Sequence, residues 1–104
     1  MGLEFAIDAL YETNFEASQA SPCRTHSDGR PYPCLDAVEQ CFATAGFGLS
    51  VRHIQLFHCY RAEWRDSSGQ AAGAVVGQSA EEAAVYALSL LRREQAQSLA
   101  GADA

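Results

Sequence analysis

The sequence contains no lysine, and its basic side chains are seven arginines against thirteen carboxylates. The formal net charge at pH 7 is therefore −6. Nucleic-acid binding without sequence preference depends on basic side chains that displace counterions from phosphates, so the acidic balance argues against that function. The same balance argues against attachment to anionic membrane surfaces.

Long apolar runs are also missing, and none approaches the length of a membrane span. The first residues do not place a basic segment before an apolar core, as a secretory signal would. We therefore expect a cytoplasmic protein, a compartment in which thiols stay reduced. The cysteines concerned are Cys23, Cys34, Cys41 and Cys59.

The sequence shows no motif for an enzyme. The two glycines of residues 73–77 do not make a phosphate loop, because the chain has no lysine to complete one. His58 and Cys59 are neighbours on a predicted strand, where adjacent side chains point to opposite faces and do not readily form a nucleophile–base pair. Glu81 and Glu82 fall in the first turn of a predicted helix, where capping and the helix dipole account for them. We predict neither an enzyme nor a cofactor.

The clearest structural pattern lies in residues 60–93. Apolar and charged side chains alternate over residues 60–65, which predicts a strand with one buried and one wet face. Residues 66–69 have the composition of a hairpin turn, and the small residues 71–77 form the returning strand. Ser79 and Glu82 then predict a capping box, in which each side chain bonds the backbone N–H of the other residue. The helix they open is expected to end near Arg93, followed by a disordered tail over residues 95–104.

The preceding half of the chain predicts further elements. Apolar spacing indicates a helix over residues 34–46, then a strand over 49–53 that ends or bulges near His53 and Ile54. Residues 2–12 favour a short helix, with an alternating strand as the second interpretation. Residues 13–33 are punctuated by Pro and Gly and are predicted to be irregular. They form either a mobile arm or a segment anchored at its two ends by Phe15 and Tyr32.

These elements predict an α+β fold, a two-layer α-β-β-β-α sandwich. Its three-stranded antiparallel sheet carries both helices on one face, because both apolar helix stripes need the same surface. An N-terminal helix and arm over residues 1–33 precede the α-β-β-β-α domain of residues 34–94.

Residues 60–64, Tyr-Arg-Ala-Glu-Trp, and 77–88, Gly-Gln-Ser-Ala-Glu-Glu-Ala-Ala-Val-Tyr-Ala-Leu, carry a resemblance to a known family. Over residues 35–92 the order of elements resembles the double-stranded RNA-binding domain and its degenerate relatives. The resemblance implies the same layered fold and, as an alternative function, nucleic-acid binding. The family contacts phosphates with basic residues at the start of its last helix. Residues 80–84 of this chain read Ala-Glu-Glu-Ala-Ala there.

Cysteine and histidine suggest a second alternative, a zinc-stabilised interaction domain. Cys23, His26, Cys34 and Cys41 supply enough ligands for one ion, and a metal would hold the long arm in place. Their spacing departs from the usual paired pattern, and Cys41 is explained more simply as a small core residue. The main prediction is therefore no metal. A disulfide between Cys23 and Cys34 is a further possibility.

The main functional prediction is a small protein-interaction or regulatory domain, whose partner is an unknown protein or a second copy. A two-layer sandwich leaves the outer sheet face open, and a first or last strand also presents unpaired backbone groups. Small side chains on this face would let another chain lie flat against it. The predicted contact residues are Cys59, Arg61, Glu63, Arg65, Gly73 and Val75.

Overall fold

The chain adopts an α+β fold with two antiparallel sheets and three α-helices among the described residues. The computed structural model describes residues 2–102, with side chains up to residue 97. Short 3-10 turns lie at Ala17–Gln19 and Gln55–Phe57. The regular elements are α1 (Leu3–Tyr11), β1 (Cys23–Thr25), β2 (Pro31–Pro33), α2 (Leu35–Thr44), β3 (Gly48–Ile54), β4 (Cys59–Arg65), β5 (Ala71–Gly77) and α3 (Ala80–Ala102).

The larger sheet has the strand order β3-β4-β5, with β4 in the middle. Helices α2 and α3 cover one of its faces, and α1 packs against α3. The predicted two-layer α+β arrangement is therefore confirmed, and so is the helical interpretation of residues 2–12. None of the helices in the described part of the chain combines the length and the apolar character that crossing a bilayer requires.

The core is centred on Trp64, the largest fully buried side chain of the protein. Its ring centroid lies 5.2 Å from that of Phe42 on α2. On the neighbouring strands Trp64 pairs with Leu49 of β3 and with Gly73 of β5. A Cβ at Gly73 would lie 2.3 Å from Cζ2 of Trp64, so the indole occupies the space that a side chain on β5 would need. The tryptophan thus joins both layers of the sandwich.

The N-terminal arm is more ordered than its sequence predicts. Strands β1 and β2 pair as an antiparallel hairpin inside the segment predicted to be irregular. Phe15 and Tyr32 are buried and belong to the same core cluster as Trp64, as expected for a segment anchored at both ends. The Tyr11 hydroxyl donates to the Pro31 carbonyl at 2.7 Å, which ties the hairpin to α1. Strands of three residues are too short to show a periodic pattern, and β2 has Pro at two of its three positions. The sequence therefore did not predict them.

Helix α3 begins with the expected cap, in a slightly different form. The backbone N–H of Glu82 donates to the Ser79 hydroxyl at 3.0 Å. The Glu82 carboxylate accepts from the N–H of Gln78 at 3.2 Å, whereas the sequence predicts the N–H of Ser79 as its donor.

The C-terminal end of α3 also differs from the prediction. The helix continues through Ala102 instead of ending near Arg93, so residues 95–102 of the predicted tail are helical. Residues 103–104 lie outside the described part of the chain. Before this extension, Arg92 ties α3 to the N-terminal arm, since its Nε donates to the Thr13 hydroxyl at 2.8 Å and its Nη2 to the Thr13 carbonyl at 3.1 Å.

The contact between Gly73 and Trp64 makes a specific prediction about stability. We expect Gly73→Ala to lower the free energy of unfolding by about 1–3 kcal/mol, because the new methyl group must displace the indole. Urea denaturation followed by circular dichroism measures the change.

Gly48→Ala is the matched control for this substitution. Gly48 lies on β3 of the same sheet, and an added Cβ there meets no atom within 4 Å. We expect its effect to stay within about 0.5 kcal/mol, as for surface substitutions in general. Equal unfolding midpoints for the two variants would contradict the packing described above.

Candidate interaction surface

The face of the larger sheet that points away from α2 and α3 forms the candidate site. Strand alternation determines its members, because paired residues on neighbouring antiparallel strands share a face. The inner face holds Ala62 and Trp64, both buried. We define the open face as the outward side chains of the three strands: Ser50, Arg52, Ile54, Cys59, Arg61, Glu63, Arg65, Ala74 and Val76.

Four of the predicted contact residues lie on the open face, and two do not. Cys59, Arg61, Glu63 and Arg65 project outward, as their alternation with Ala62 and Trp64 on β4 predicts. Gly73 and Val75 lie on the buried face, because they pair with Trp64 and Ala62. Placing them on the open face was therefore wrong. The register shifts between Trp64 and Arg65 at a bulge, and small residues on β5 gave no alternation from which the face could be read.

One end of the open face is apolar and exposed. Leu56, Phe57 and Val76 are 81%, 71% and 53% exposed, and we call these three residues the apolar end. Phe57 and Val76 line one shallow depression. Neither Leu56 nor Phe57 is among the contact residues predicted from the sequence. The change of alternation at Ile54 is the signal that could have indicated them. Two large apolar residues follow it in a short connection between strands, where they do not reach the core.

The 3-10 turn Gln55–Phe57 places Leu56 and Phe57 outside the core. His58 ends this turn with a φ of 50°, in the left-handed region that non-glycine residues seldom adopt. The antiparallel strand β4 then begins at Cys59, with Tyr60, Ala62 and Trp64 facing inward. The two apolar side chains are therefore held at the end of the sheet by the turn that joins β3 to β4.

The middle of the open face is positively charged. Glu63 accepts hydrogen bonds from Arg61 Nη2 at 3.2 Å and from Arg65 Nη2 at 2.8 Å. Arg52 on β3 lies directly opposite Arg61. Three of the seven arginines thus share this face with one carboxylate, in a chain whose net charge is −6.

The outer edge of β5 is also uncovered. Strands β3 and β5 form the two edges of the sheet. Within residues 2–102, no backbone hydrogen bond joins β5 to a segment other than β4. The strand contains only Ala, Gly and Val, so it lacks the charges and prolines that usually protect an edge from pairing with another chain.

The cysteine and histidine candidates are used in packing. The Cys23 thiol donates to the Ala20 carbonyl at 2.9 Å, and burial raises the pKa of this thiol, with Cys34 and Cys41 nearby adding to the shift. His26 lies edge-on to the Tyr32 ring. All four cysteines are free thiols. No group of three or more His, Cys, Asp or Glu side chains in residues 2–102 is arranged to hold a metal ion.

A groove between α2, α3 and the arm is the other concave feature of interest. Its lining includes Phe15, Cys41, Leu88 and Arg92. The Arg92 guanidinium is engaged by Thr13 and lies over the Phe15 ring at 5.6 Å from its centroid. The Arg92 guanidinium therefore anchors α3 to the arm. Burial in the groove also raises the pKa of the Cys41 thiol. This arrangement is typical of a packing seam between elements.

Comparison with known proteins leaves the function to be argued from this geometry. The chain matches no protein-family model, no curated protein and no solved structure.

The arginine pair makes a prediction about pH. Hydrogen bonds from Arg61 and Arg65 hold the pKa of Glu63 below the ordinary value for a glutamate. The stabilisation from these bonds is present above that ordinary value, and is lost as the pH falls through the lowered pKa. In an NMR titration of side-chain carboxyl carbons, we expect Arg65→Gln to raise the pH at the midpoint of the Glu63 titration. Arg24→Gln removes an exposed arginine from β1 and should leave the Glu63 titration unchanged. A Glu63 midpoint at the ordinary value in the unmodified protein would contradict the ion pairs.

Proposed function

We propose that this chain is a small non-enzymatic protein-interaction domain that binds its partner through the open face and the β5 edge. The observation that carries the proposal is the apolar end, since Leu56 and Phe57 are the most exposed large apolar side chains of the described chain. Isolated exposed apolar residues are common, but adjacent ones beside an uncovered sheet edge favour a contact surface.

The energetics support a protein partner. Burying one Leu or Phe side chain contributes about 1.5–3 kcal/mol, so the apolar end could supply the central contacts of a modest interface. The arginines beside it are typical of interfaces, because the guanidinium group combines charge with several directed hydrogen bonds. The partner is either another protein or a second copy of this chain.

Nucleic acid is a weaker candidate. The start of α3, which the resemblance to RNA-binding domains would use for phosphate contacts, carries Glu81 and Glu82. Glu82 is also buried and occupied with the helix cap. These carboxylates would repel the phosphates of duplex RNA.

A double substitution at the apolar end tests the proposal. We expect Leu56→Ser with Phe57→Ser to abolish self-association, measured by size-exclusion chromatography with light scattering, or capture of a partner, measured by cross-linking in cell extract. The loss follows because both apolar contacts are removed from the interface. The fold should be retained, since neither side chain contributes to the core.

Phe5→Ser is the control, because Phe5 is a partly exposed aromatic on α1, which packs on the helix layer away from the open face. Its edge-on contact with Tyr86 makes a small loss of stability the only expected effect. A protein that stays monomeric at all concentrations, and captures the same proteins with and without the double substitution, would refute the proposal.

A further inference from the structure

We propose that β5 accepts an extended acidic segment of the partner as a fourth strand, with the segment's carboxylates held by Arg61 and Arg65. This inference rests on the proposed function and names the chemistry of the partner. By an acidic segment we mean a stretch of extended chain in which carboxylates alternate with uncharged residues. Strand addition of this kind draws affinity from backbone hydrogen bonds and specificity from alternate side chains.

The two sheet edges are not equivalent as docking sites. Both edge strands pack against a helix on the inner face, β3 against α2 and β5 against α3, but β3 carries Arg52 and His53. Strand β5 offers seven residues without a charge or a proline, and its outward side chains are small. No charged side chain or proline of β5 would therefore oppose the pairing of an added strand.

Charge complementarity selects an acidic occupant. The open face gathers Arg52, Arg61 and Arg65 around the single carboxylate of Glu63. The rest of the chain is strongly acidic, so an acidic segment is attracted to this face and repelled elsewhere. A second copy would bring a β5 strand that has no carboxylate, and would leave these arginines without new partners.

The side chains on β5 leave room for the arginines to reach an added strand. Neighbouring strands are about 4.8 Å apart, so a fourth strand would lie roughly 10 Å from β4. The outward residue of β5 opposite Glu63 is Ala74, which is exposed and short. A long guanidinium side chain from β4 and a carboxylate from the added strand together span that distance. The Arg61 and Arg65 side chains are 40% and 54% exposed, so water and salt weaken their present bonds to Glu63, and an incoming carboxylate can replace these bonds at little cost.

The pairing of β4 with β5 fixes where the carboxylates of the added segment would lie. Val76 lies near one end of β5, beside Phe57, whereas Arg65 pairs with Ala71 at the other end. Arg61 lies directly opposite Val76, so the two arginines stand near the two ends of β5. The carboxylates of a segment bound in register would therefore lie on the open face between Arg61 and Arg65.

The test measures binding of a short synthetic peptide, in which glutamate alternates with valine, to the intact chain. Two control peptides of the same length have glutamine or lysine in place of glutamate. We expect the glutamate peptide to bind at least tenfold more tightly than the glutamine peptide by fluorescence anisotropy, and the lysine peptide not to bind. The preference should shrink as salt is added, because the arginines are exposed. Hydrogen exchange should become slower at alternate β5 amides, those that point away from β4.

Two double variants of the chain test which arginines bind the carboxylates of the peptide. Arg61→Gln with Arg65→Gln should reduce binding of the glutamate peptide about tenfold, to the level of the glutamine peptide. Arg24→Gln with Arg93→Gln removes the same charge from exposed arginines off the open face and should leave binding unchanged. Equal losses in both variants would overturn the assignment to the open face.

Three other outcomes would overturn the inference. Equal affinity for the glutamate and glutamine peptides would remove the acidic specificity. Slow exchange at β5 amides in the free chain, at concentrations where light scattering shows a dimer, would assign the edge to a second copy. Binding of short duplex RNA that is lost with Arg61→Gln and Arg65→Gln, without peptide binding, would assign the face to nucleic acid. Capture or self-association that depends on Leu56 and Phe57 would still support the proposed function in the first two cases.

Discussion

The packing of Trp64 against Gly73 and Phe42 is the contact on which the rest of the structure depends. The indole fills the space where β5 has no side chain and meets the aromatic ring that α2 supplies. Its Nε1 is a buried side-chain nitrogen with no hydrogen-bond partner in the described chain, which costs about 1–3 kcal/mol. The apolar contacts of so large a buried ring outweigh that cost, so the position is determined by shape rather than by hydrogen bonding.

The inward orientation of Trp64 determines where the charges lie. Successive residues of a strand face opposite sides, so an inward Trp64 requires Glu63 and Arg65 to point outward. Helices α2 and α3 both bury their apolar stripes on the inner face, which leaves no element of the described chain to cover the outer one. The charged outer face of β4 is therefore a consequence of one buried ring, and the turn before β4 and the strand order place the apolar end and the β5 edge beside it.

Several features could be predicted because they depend on near neighbours in the chain. The alternation around Trp64 and the cap formed by Ser79 are of this kind, and the structure confirms both. The face of Gly73 and Val75 could not be read locally, since it depends on a bulge and on the partner strand. The same holds for the β1–β2 hairpin, whose short strands are held by contacts such as that between Tyr11 and Pro31.

Local patterns in the sequence predicted α1, the order of α2, β3, β4, β5 and α3, the acidic balance of the chain and the residues of β4 that face outward. These properties follow from composition and from side-chain periods within single elements. The exposure of Leu56 and Phe57, the uncovered edge of β5 and the position of Arg52 across from Arg61 follow from the folded chain as a whole. Each of these depends on which strands pair and in what register, and pairing between distant segments is set by the packing of the whole core.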